Sequence, residues 1–302
     1  MINKLTYIFL FFSFGLFGQS AQETLSRLED SLVDNMKIVR AEKDRTKQIK
    51  LNNHFEELLR RTLRYDEAFT YKFEKLGKFM STVASPDGAF RLFNWNLEIG
   101  EYQEQKFHCL IMKKIPKTDN FIIIELWDKS ADAPYKIEYV QLTEKKWFGA
   151  LYYKIIPVTK GGSTIYTLLG WDGNNMISNK KIIETMQFYK QDKVKFGFPI
   201  FRSETDKNKR RVIFTYKKES SMSLRENNTK KQTRIVFDHL APTNPAIDVQ
   251  DMYAADGSYD AYYLQGWKWM YIADVDARSN QKFKTKYKTP RKVKLDNVEP
   301  ED

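Results

Sequence analysis

From Ser81 onwards the chain is a succession of short runs rich in Phe, Tyr, Trp, Ile and Val, separated by turn sequences. The first turn is SPDG at 85–88, where Pro86 fixes its own φ angle and Gly88 permits a positive one. The later runs are separated by DN, GG, DGNN, ENNTKK and DGSY, which are typical of hairpin connections. Strands at this spacing, without long helices between them, predict an antiparallel β-rich domain over residues 81–276.

Residues 21–80 have a different pattern, because their apolar side chains recur at steps of three and four residues. The two apolar stripes consist of Leu25, Leu28, Leu32, Met36 and Val39, and of Leu51, Phe55, Leu58, Leu59 and Leu63. Charged residues fill the opposite faces, and no Pro or Gly occurs between residue 21 and Gly77. The pattern predicts two or three amphipathic helices, arranged as a hairpin, whose stripes dock on a core or on a partner.

One helix is expected inside the β-rich domain. Asn179 precedes KKIIETMQFYK and is a good N-cap residue, while Ile182, Ile183, Met186 and Phe188 supply apolar positions. The fold class is therefore predicted to be α+β: N-terminal amphipathic helices, then an antiparallel β-rich domain with one inserted helix.

The first twenty residues are typical of a secretory signal peptide. Lys4 is their only charge, an apolar run from Tyr7 to Phe17 follows, and the small and polar residues from Gly18 to Ala21 suit cleavage. The apolar run is short for a membrane span, and nothing later in the chain is apolar enough for one. We therefore expect an exported protein, periplasmic or associated with the outer membrane, with no transmembrane segment in the mature chain.

The net charge is +11, of which the signal peptide carries one positive charge, leaving about +10 in the mature chain. A strong positive balance usually indicates nucleic acid as the partner. Export excludes nucleic acid here and favours the anions of the cell envelope, namely lipid head groups and acidic polymers. Solubility alone is the alternative explanation of the charge.

A basic tail is predicted over residues 277–302, with an acidic end. The candidate anion-binding residues are Lys282, Lys284, Lys286, Lys288, Arg291, Lys292 and Lys294. In a strand, the first four would share one face. The same pattern protects an edge strand from further pairing, so both explanations stay open. A second basic run, KNKRRVIFTYKK at 207–218, lies close in sequence to Lys230, Lys231 and Arg234.

Three groups of segments carry a resemblance: SPDGAFRLFNWN; ALYYKIIPV with YTLLGWDGNN and NKKIIETMQF; and IVFDHLAP with DGSYDAYYLQGWKWMYIADVDAR. In these segments the chain resembles a family of uncharacterised exported proteins of Bacteroidota-type Gram-negative bacteria. The ending LFGQS of the signal peptide is similar too. The resemblance implies export and a β-rich body, and it implies no activity, cofactor or site residue.

Acidic residues crowd the segment before YYLQGWKWMY, which we expect to be a loop. Asp251, Asp256 and Asp260 are the candidate catalytic residues there, because two carboxylates about 5–10 Å apart can hydrolyse a glycosidic bond. Trp267 and Trp269 are aromatic residues that can stack on sugars. Asp is also an ordinary turn residue, which is the alternative explanation.

No other catalytic motif is present in the sequence. The three histidines, His54, His108 and His239, lack metal-ligand spacing, and DGNNMISNKKIIE at 172–184 lacks the oxygen ligands and the Gly of a calcium loop. Cys109 is expected to be a buried thiol on the opposite strand face from His108, which excludes a catalytic pair. We predict no metal and no cofactor.

The leading hypothesis is an envelope-associated binding or assembly module without catalytic activity, which contacts an envelope protein or an anionic polymer or lipid surface. The first alternative is a glycan or cell-wall hydrolase that uses the acidic segment. The second is a carrier of a small ligand or lipid, which requires a pocket.

Overall fold

The structure is a computed structural model that describes residues 5–100, 104–229, 232–244 and 248–276, with side chains from Ala21 onwards. Two helices come first, α1 at Leu5–Ala41 and α2 at Arg45–Thr62. The side chain of Asp44 caps α2 by accepting a hydrogen bond from the Lys47 amide at 2.8 Å. The two helices contact each other, and the predicted N-terminal helices are confirmed.

The rest of the described chain is mostly antiparallel strands, in agreement with the predicted α+β class. The strands are β1 Ser81–Ala84, β2 Phe90–Ile99, β3 Glu104–Lys114, β4 Phe121–Trp127, β5 Leu142–Thr143, β6 Leu151–Lys160, β7 Ser163–Asp172, β8 Ser178–Lys190, β9 Lys193–Phe196, β10 Phe201–Arg202, β11 Val212–Lys217, β12 Leu224–Glu226, β13 Arg234–Pro242, β14 Tyr253–Gln265 and β15 Lys268–Ile272. The SPDG turn precedes β2 as expected, with the Gly88 amide bonded to the Ser85 carbonyl at 3.0 Å and Gly88 at a φ of 68°.

These strands form three sheets. The first sheet has the order β1-β2-β3-β4, the middle sheet β5-β9-β8-β7-β6 with β11 also paired to β8, and the third sheet β10-β15-β14-β13-β12. The pairing is antiparallel in each sheet except for the two-residue parallel contact of β10 with β15.

The sheets are stacked, and the helices cover the outer face of the first sheet. Alternating side chains of β2 show the arrangement: Phe93 and Trp95 pack on the helices, whereas Phe90 and Leu92 face the middle sheet. The middle sheet in turn is buried on both faces, because a third core joins it to the third sheet. The order of layers is therefore helices, first sheet, middle sheet and third sheet.

The apolar stripes of the two helices are buried by this packing. Leu32, Met36, Phe55 and Leu59 are fully buried against the first sheet. Burial of each such side chain stabilises the folded state by about 1.5–3 kcal/mol, which explains why the helices dock on the chain's own β-rich part. Within the described residues, the stripes are thus a core face and are not free to bind a partner.

Buried polar groups fix the segment between α2 and β1. The carboxylate of Glu29 on α1 accepts hydrogen bonds from the Lys75 and Leu76 amides at 2.8 and 2.9 Å. From the sheet side, the Arg91 guanidinium donates to backbone carbonyls of the same segment. Burial lowers the pKa of Arg91 to about 10. These bonds attach the helical layer to the first sheet.

The inserted helix predicted after Asn179 is wrong, because residues 178–190 form β8. The apolar residues of this segment suit a helix stripe, but they also suit a central strand that is buried on both faces. Ile182 and Met186 enter the core with the first sheet, while Ile183 enters the core with the third sheet. Asn179 does not cap a helix; its side chain amide donates to the Lys218 carbonyl at 3.3 Å.

A buried ion pair lies beside this strand. The Arg211 Nε donates to the Glu184 carboxylate at 2.7 Å, and both side chains are at most 1% exposed. The Arg211 guanidinium also donates to the Val140 carbonyl at 2.8 Å and to the Ile137 carbonyl. The pair therefore joins β8, the segment before β11 and the segment before β5.

Candidate functional site

Two of the three acidic residues predicted as catalytic lie on the third sheet rather than in a loop. Asp256 and Asp260 belong to β14, and a β-bulge separates them. At the bulge, one residue of β13, His239, opposes residues 256–258 of β14, and Gly257 has a φ of 92°. Only glycine adopts this φ readily, and bulges of this kind redirect neighbouring side chains. The bulge thus places both carboxylates beside the His239 imidazole.

Both carboxylate oxygens of Asp260 accept hydrogen bonds. One oxygen, Oδ2, accepts hydrogen bonds from His239 Nδ1 at 2.9 Å and from the Tyr271 hydroxyl at 2.7 Å. The other, Oδ1, accepts from the Asp274 amide at 3.1 Å. Because a carboxylate only accepts, the proton of this bond lies on Nδ1. Asp260 therefore fixes the orientation and tautomer of His239.

His239 has its second nitrogen available. Its side chain is 44% exposed, and Nε2 lies 4.0 Å from Oδ2 of Asp256. The hydrogen bond to Asp260 raises the pKa of His239 above its usual 6.5. Asp256 accepts from the Ser258 amide and hydroxyl at 2.9 and 2.7 Å, which lowers the pKa of its carboxyl. The imidazole is thus a base that an adjacent buried acid orients.

A small pocket of about 230 Å³ opens beside this imidazole. Phe214, Phe237, Leu240 and Tyr253 contribute to its walls, and Asp260 and Tyr271 contribute polar groups. Apolar walls with a few convergent polar groups are usual in ligand sites, although this volume is below the typical range of about 300–1,000 Å³.

The three predicted acids are therefore not equivalent. Asp251 lies on a short 3-10 turn, Gln250–Met252, and no hydrogen bond or ion pair joins it to Asp256 or Asp260 in the part of the chain that the structure describes. Asp260 acts on His239 rather than facing the solvent. The arrangement supplies one imidazole base and one exposed carboxylate, which differs from the two free carboxylates that glycoside hydrolysis needs.

Sequence reasoning missed His239 and Tyr271 as members of this cluster. Residue 239 is 21 positions from Asp260 in sequence, so only the register of β13 with β14 brings the two together. The available signal was the Asp-Gly pair at 256–257 inside a strand pattern, which indicates a bulge as well as a turn.

The predicted anion-binding residues of the tail, from Lys282 to Lys294, lie outside the described residues. The second basic run, 207–218, lies wholly within the described residues, and most of its charges are used within the chain. Arg211 is paired with Glu184, Lys209 lies 3.0 Å from Glu138, and Arg210 donates to the Gly197 carbonyl at 2.8 Å. Residues 207–218 therefore do not form an open positive patch.

Lysines also cover exposed aromatic rings. Lys145 Nζ lies 5.7 Å from the ring centre of Trp127, and Lys136 Nζ lies 5.5 Å from that of Tyr135. Trp127 is 49% exposed and Tyr135 is 88% exposed. In the turn between β14 and β15, the half-buried Trp267 has two lysines near its ring centre, Lys160 at 4.0 Å and Lys268 at 5.1 Å. Such pairs offer an apolar surface and a positive charge at one place.

The remaining candidates are structural. Cys109 on β3 is buried, and burial raises the pKa of its thiol. His108 points to the other face, where its ring stacks on Trp95 with 5.1 Å between ring centres. The two do not form a catalytic pair. Among the described ranges, no group of three or more His, Cys, Asp or Glu residues is arranged to hold a metal ion.

Comparisons with protein-family models, with curated proteins and with solved structures find no match to this chain. In the described part of the chain, every helix is too short or too polar to cross a bilayer.

Proposed function

We propose that the protein is an exported, envelope-associated binding module without catalytic activity. Its partner is an anionic component of the cell envelope. The observation that carries this proposal is the pairing of exposed aromatic rings with lysines, as at Trp127 and Tyr135. Aromatic residues together with lysines suit the boundary between an apolar phase and an anionic surface.

Charge and compartment support the same proposal. The chain has 50 Lys and Arg residues against 39 Asp and Glu residues. The N-terminal sequence predicts export, and exported proteins meet anionic lipids and glycans rather than nucleic acid. The helical stripes are buried within the chain, so the partner surface has to be sought on the β-rich part or on the tail.

Fractionation of native envelopes at low and high salt tests this proposal. We expect the protein to sediment with envelopes at low salt and to be released at high salt, because salt screens contacts between exposed charges. The variant Trp127→Ser/Tyr135→Ser should be released at lower salt than the wild type. Ile38→Ser/Tyr65→Ser is the matched control, because it removes exposed apolar side chains from the helical layer.

Release of the wild type at both salt concentrations would contradict the proposal. If the protein stayed with a defined set of proteins through high salt, its partner would be a stable protein assembly and not an anionic surface.

A second candidate function is hydrolysis by general acid–base catalysis at His239. The Asp260–His239 hydrogen bond favours it, because an oriented imidazole with a pKa above 6.5 is able to exchange protons near neutral pH. Envelope glycans incubated with the protein test this function. Any activity found should be lost in His239→Gln, and activity that survives in Asp251→Asn/Asp256→Asn/Asp260→Asn would exclude the acidic segment.

A further inference from the structure

A pocket of about 450 Å³ lies in the connection between β4 and β6, away from His239. Its floor contains Leu142, Trp147 and Phe148, all buried, and its wall contains Ile137 and Val140. The volume lies within the range of about 300–1,000 Å³ that small-molecule sites occupy. The lining is mainly apolar, so the pocket suits a hydrocarbon group.

The rim of this pocket is positively charged. Lys129, Lys145 and Lys146 stand on it together with one acid, Asp132. Lys129 is paired with Asp132 at 3.7 Å, which leaves the positive charges of Lys145 and Lys146. Neither of these two lysines makes an ion pair with any residue that the structure describes, and both are exposed. An anion at the rim would therefore meet two unneutralised cations.

The floor of the pocket is held in place by hydrogen bonds. The Trp147 amide donates to the Trp127 carbonyl at 3.0 Å, and the Lys129 amide donates to the Trp147 carbonyl at 2.8 Å. The indole Nε1 of Trp147 donates to the Tyr152 hydroxyl at 3.0 Å. On the opposite wall, Arg211 holds the Val140 carbonyl at 2.8 Å. A pocket that is formed before binding does not cost ordering entropy when the ligand enters.

The surroundings of the pocket continue the same chemistry. Trp127 and Tyr135 flank the residues that line it and are both exposed, and Lys145 of the rim also lies over Trp127. Exposed aromatic rings beside lysines suit the head-group region of a lipid surface.

We infer that this pocket binds an acyl chain that carries an anionic head group. The acyl chain lies on the apolar floor of the pocket, and its head group lies between Lys145 and Lys146. A sugar would leave its hydroxyl groups without partners on the apolar lining, and a neutral alkyl group would not use the lysines. The inference rests on the proposed function in so far as it names the envelope component that the module contacts.

Calorimetric titration of the full chain with decanoate tests this inference. We expect saturable binding at one site, and binding of the neutral 1-decanol that is at least several-fold weaker. Lys145→Gln/Lys146→Gln should weaken decanoate binding about tenfold or more, because each lysine near an anionic head group contributes to binding. Lys47→Gln/Lys50→Gln, on the exposed face of α2, removes the same charge elsewhere and should bind as the wild type does.

A second variant tests the apolar part of the site. Ala133 lines the pocket and is half-buried, so Ala133→Trp fills the volume with an indole. It should abolish binding of decanoate and of 1-decanol alike. Circular dichroism and the unfolding midpoint show whether each variant is folded. Decanoate binding that is the same in the wild type, in Lys145→Gln/Lys146→Gln and in Ala133→Trp would overturn the inference.

Vesicles distinguish a free fatty acid from a bilayer lipid as the source of the acyl chain. Sedimentation with phosphatidylglycerol vesicles, but not with phosphatidylcholine vesicles, and its loss in Lys145→Gln/Lys146→Gln would assign the site to a lipid in a membrane. No binding of decanoate and no sedimentation with either vesicle overturns the inference. Envelope retention that persists in that case leaves the proposed function standing, with another component as the partner.

Discussion

Two carboxylate–nitrogen pairs in this molecule have similar bonds and opposite surroundings. Glu184 and Arg211 are joined at 2.7 Å, and Asp260 and His239 are joined at 2.9 Å. The first pair is almost wholly buried between sheets, whereas the His239 side chain is 44% exposed beside a pocket. The bond length alone therefore does not distinguish a structural pair from a candidate site.

The two pairs differ in the surroundings of the side-chain nitrogens that do not contact the carboxylate. Arg211 donates from Nη1 to the Ile137 and Val140 carbonyls, and its Nη2 is buried without a hydrogen-bond partner among the described residues, so the guanidinium joins segments and faces no solvent. His239 uses only Nδ1 on Asp260, and its Nε2 faces Asp256 and open space. The Glu184–Arg211 pair, called the sealed pair, stabilises the fold. The Asp260–His239 pair, called the open pair, has a nitrogen left for a ligand or a proton.

The largest effect is expected when the sealed pair is broken. Arg211→Met leaves the Glu184 carboxylate buried without its cation, which should lower the free energy of unfolding by about 3–5 kcal/mol. Urea unfolding followed by tryptophan fluorescence measures this. Arg225→Met is the matched control, because Arg225 is exposed, and it should change the free energy of unfolding by no more than about 0.5 kcal/mol.

The double variant Glu184→Leu/Arg211→Met sharpens this test. It removes both charges, so most of the loss in Arg211→Met should be recovered. A double variant as unstable as the single one would show that the bonds to Ile137 and Val140 matter more than the charge of Glu184.

Breaking the open pair should lower the free energy of unfolding by less than breaking the sealed pair. Asp260→Asn keeps one acceptor oxygen but loses the charge that His239 and Tyr271 share, and it should lower the free energy of unfolding by about 1–3 kcal/mol. Asp256→Asn is the control on the same strand, because its oxygen still accepts from Ser258. A larger loss in Asp260→Asn than in Arg211→Met would reverse the comparison.

The sequence predicted N-terminal helices followed by an antiparallel β-rich part because its two periodicities are strong. Leu32 and Phe55 recur on helix faces that the structure buries, and the strand runs after Ser81 form sheets. The segment from Asn179 was misjudged because β8 is buried on both faces and so lacks the alternation of a half-exposed strand. Such a strand and an amphipathic helix place apolar residues at compatible positions.

The sites were less predictable than the fold, because they depend on distant pairing. His239 and Asp260 come together only through the β13–β14 register, and Trp127 contacts Trp147 only through the loop that follows β4. Runs of basic residues in the sequence were also poor indicators of where a binding site lies. The charge-dense run at 207–218 is mostly used in internal bonds, while Lys145 and Lys146, two ordinary neighbours, face an apolar pocket.

A smaller change tests how much the Tyr271 hydroxyl contributes to the open pair. Tyr271→Phe removes one hydrogen bond to Asp260 and should lower the free energy of unfolding by about 0.5–1.5 kcal/mol in urea unfolding. Tyr263→Phe is the control on the adjacent strand, because the Tyr263 hydroxyl makes no hydrogen bond among the described residues, and it should be nearly neutral. Equal losses in the two variants would mean that the hydroxyl bond does not strengthen the pair.

The smallest effect is expected at His239, and it should depend on pH. The folded-state pKa of His239 is raised above 6.5, so protonation favours the folded state. The resulting stability is fully present below the unfolded-state pKa and is lost as the pH rises through the folded-state pKa. His239→Gln should therefore lower the free energy of unfolding by at most about 1 kcal/mol at low pH, since the pair is exposed, and by less at high pH.

Urea unfolding of the wild type and His239→Gln at about pH 5.5 and about pH 9, on either side of the histidine titration, measures this difference. His54→Gln is the control, because His54 is exposed on α2 and makes no ion pair among the described residues. A His239→Gln difference that does not shrink as the pH rises would mean that packing, and not the charge of the imidazole, accounts for its contribution. The open pair would then resemble the sealed one, and Nε2 of His239 would not be a free base.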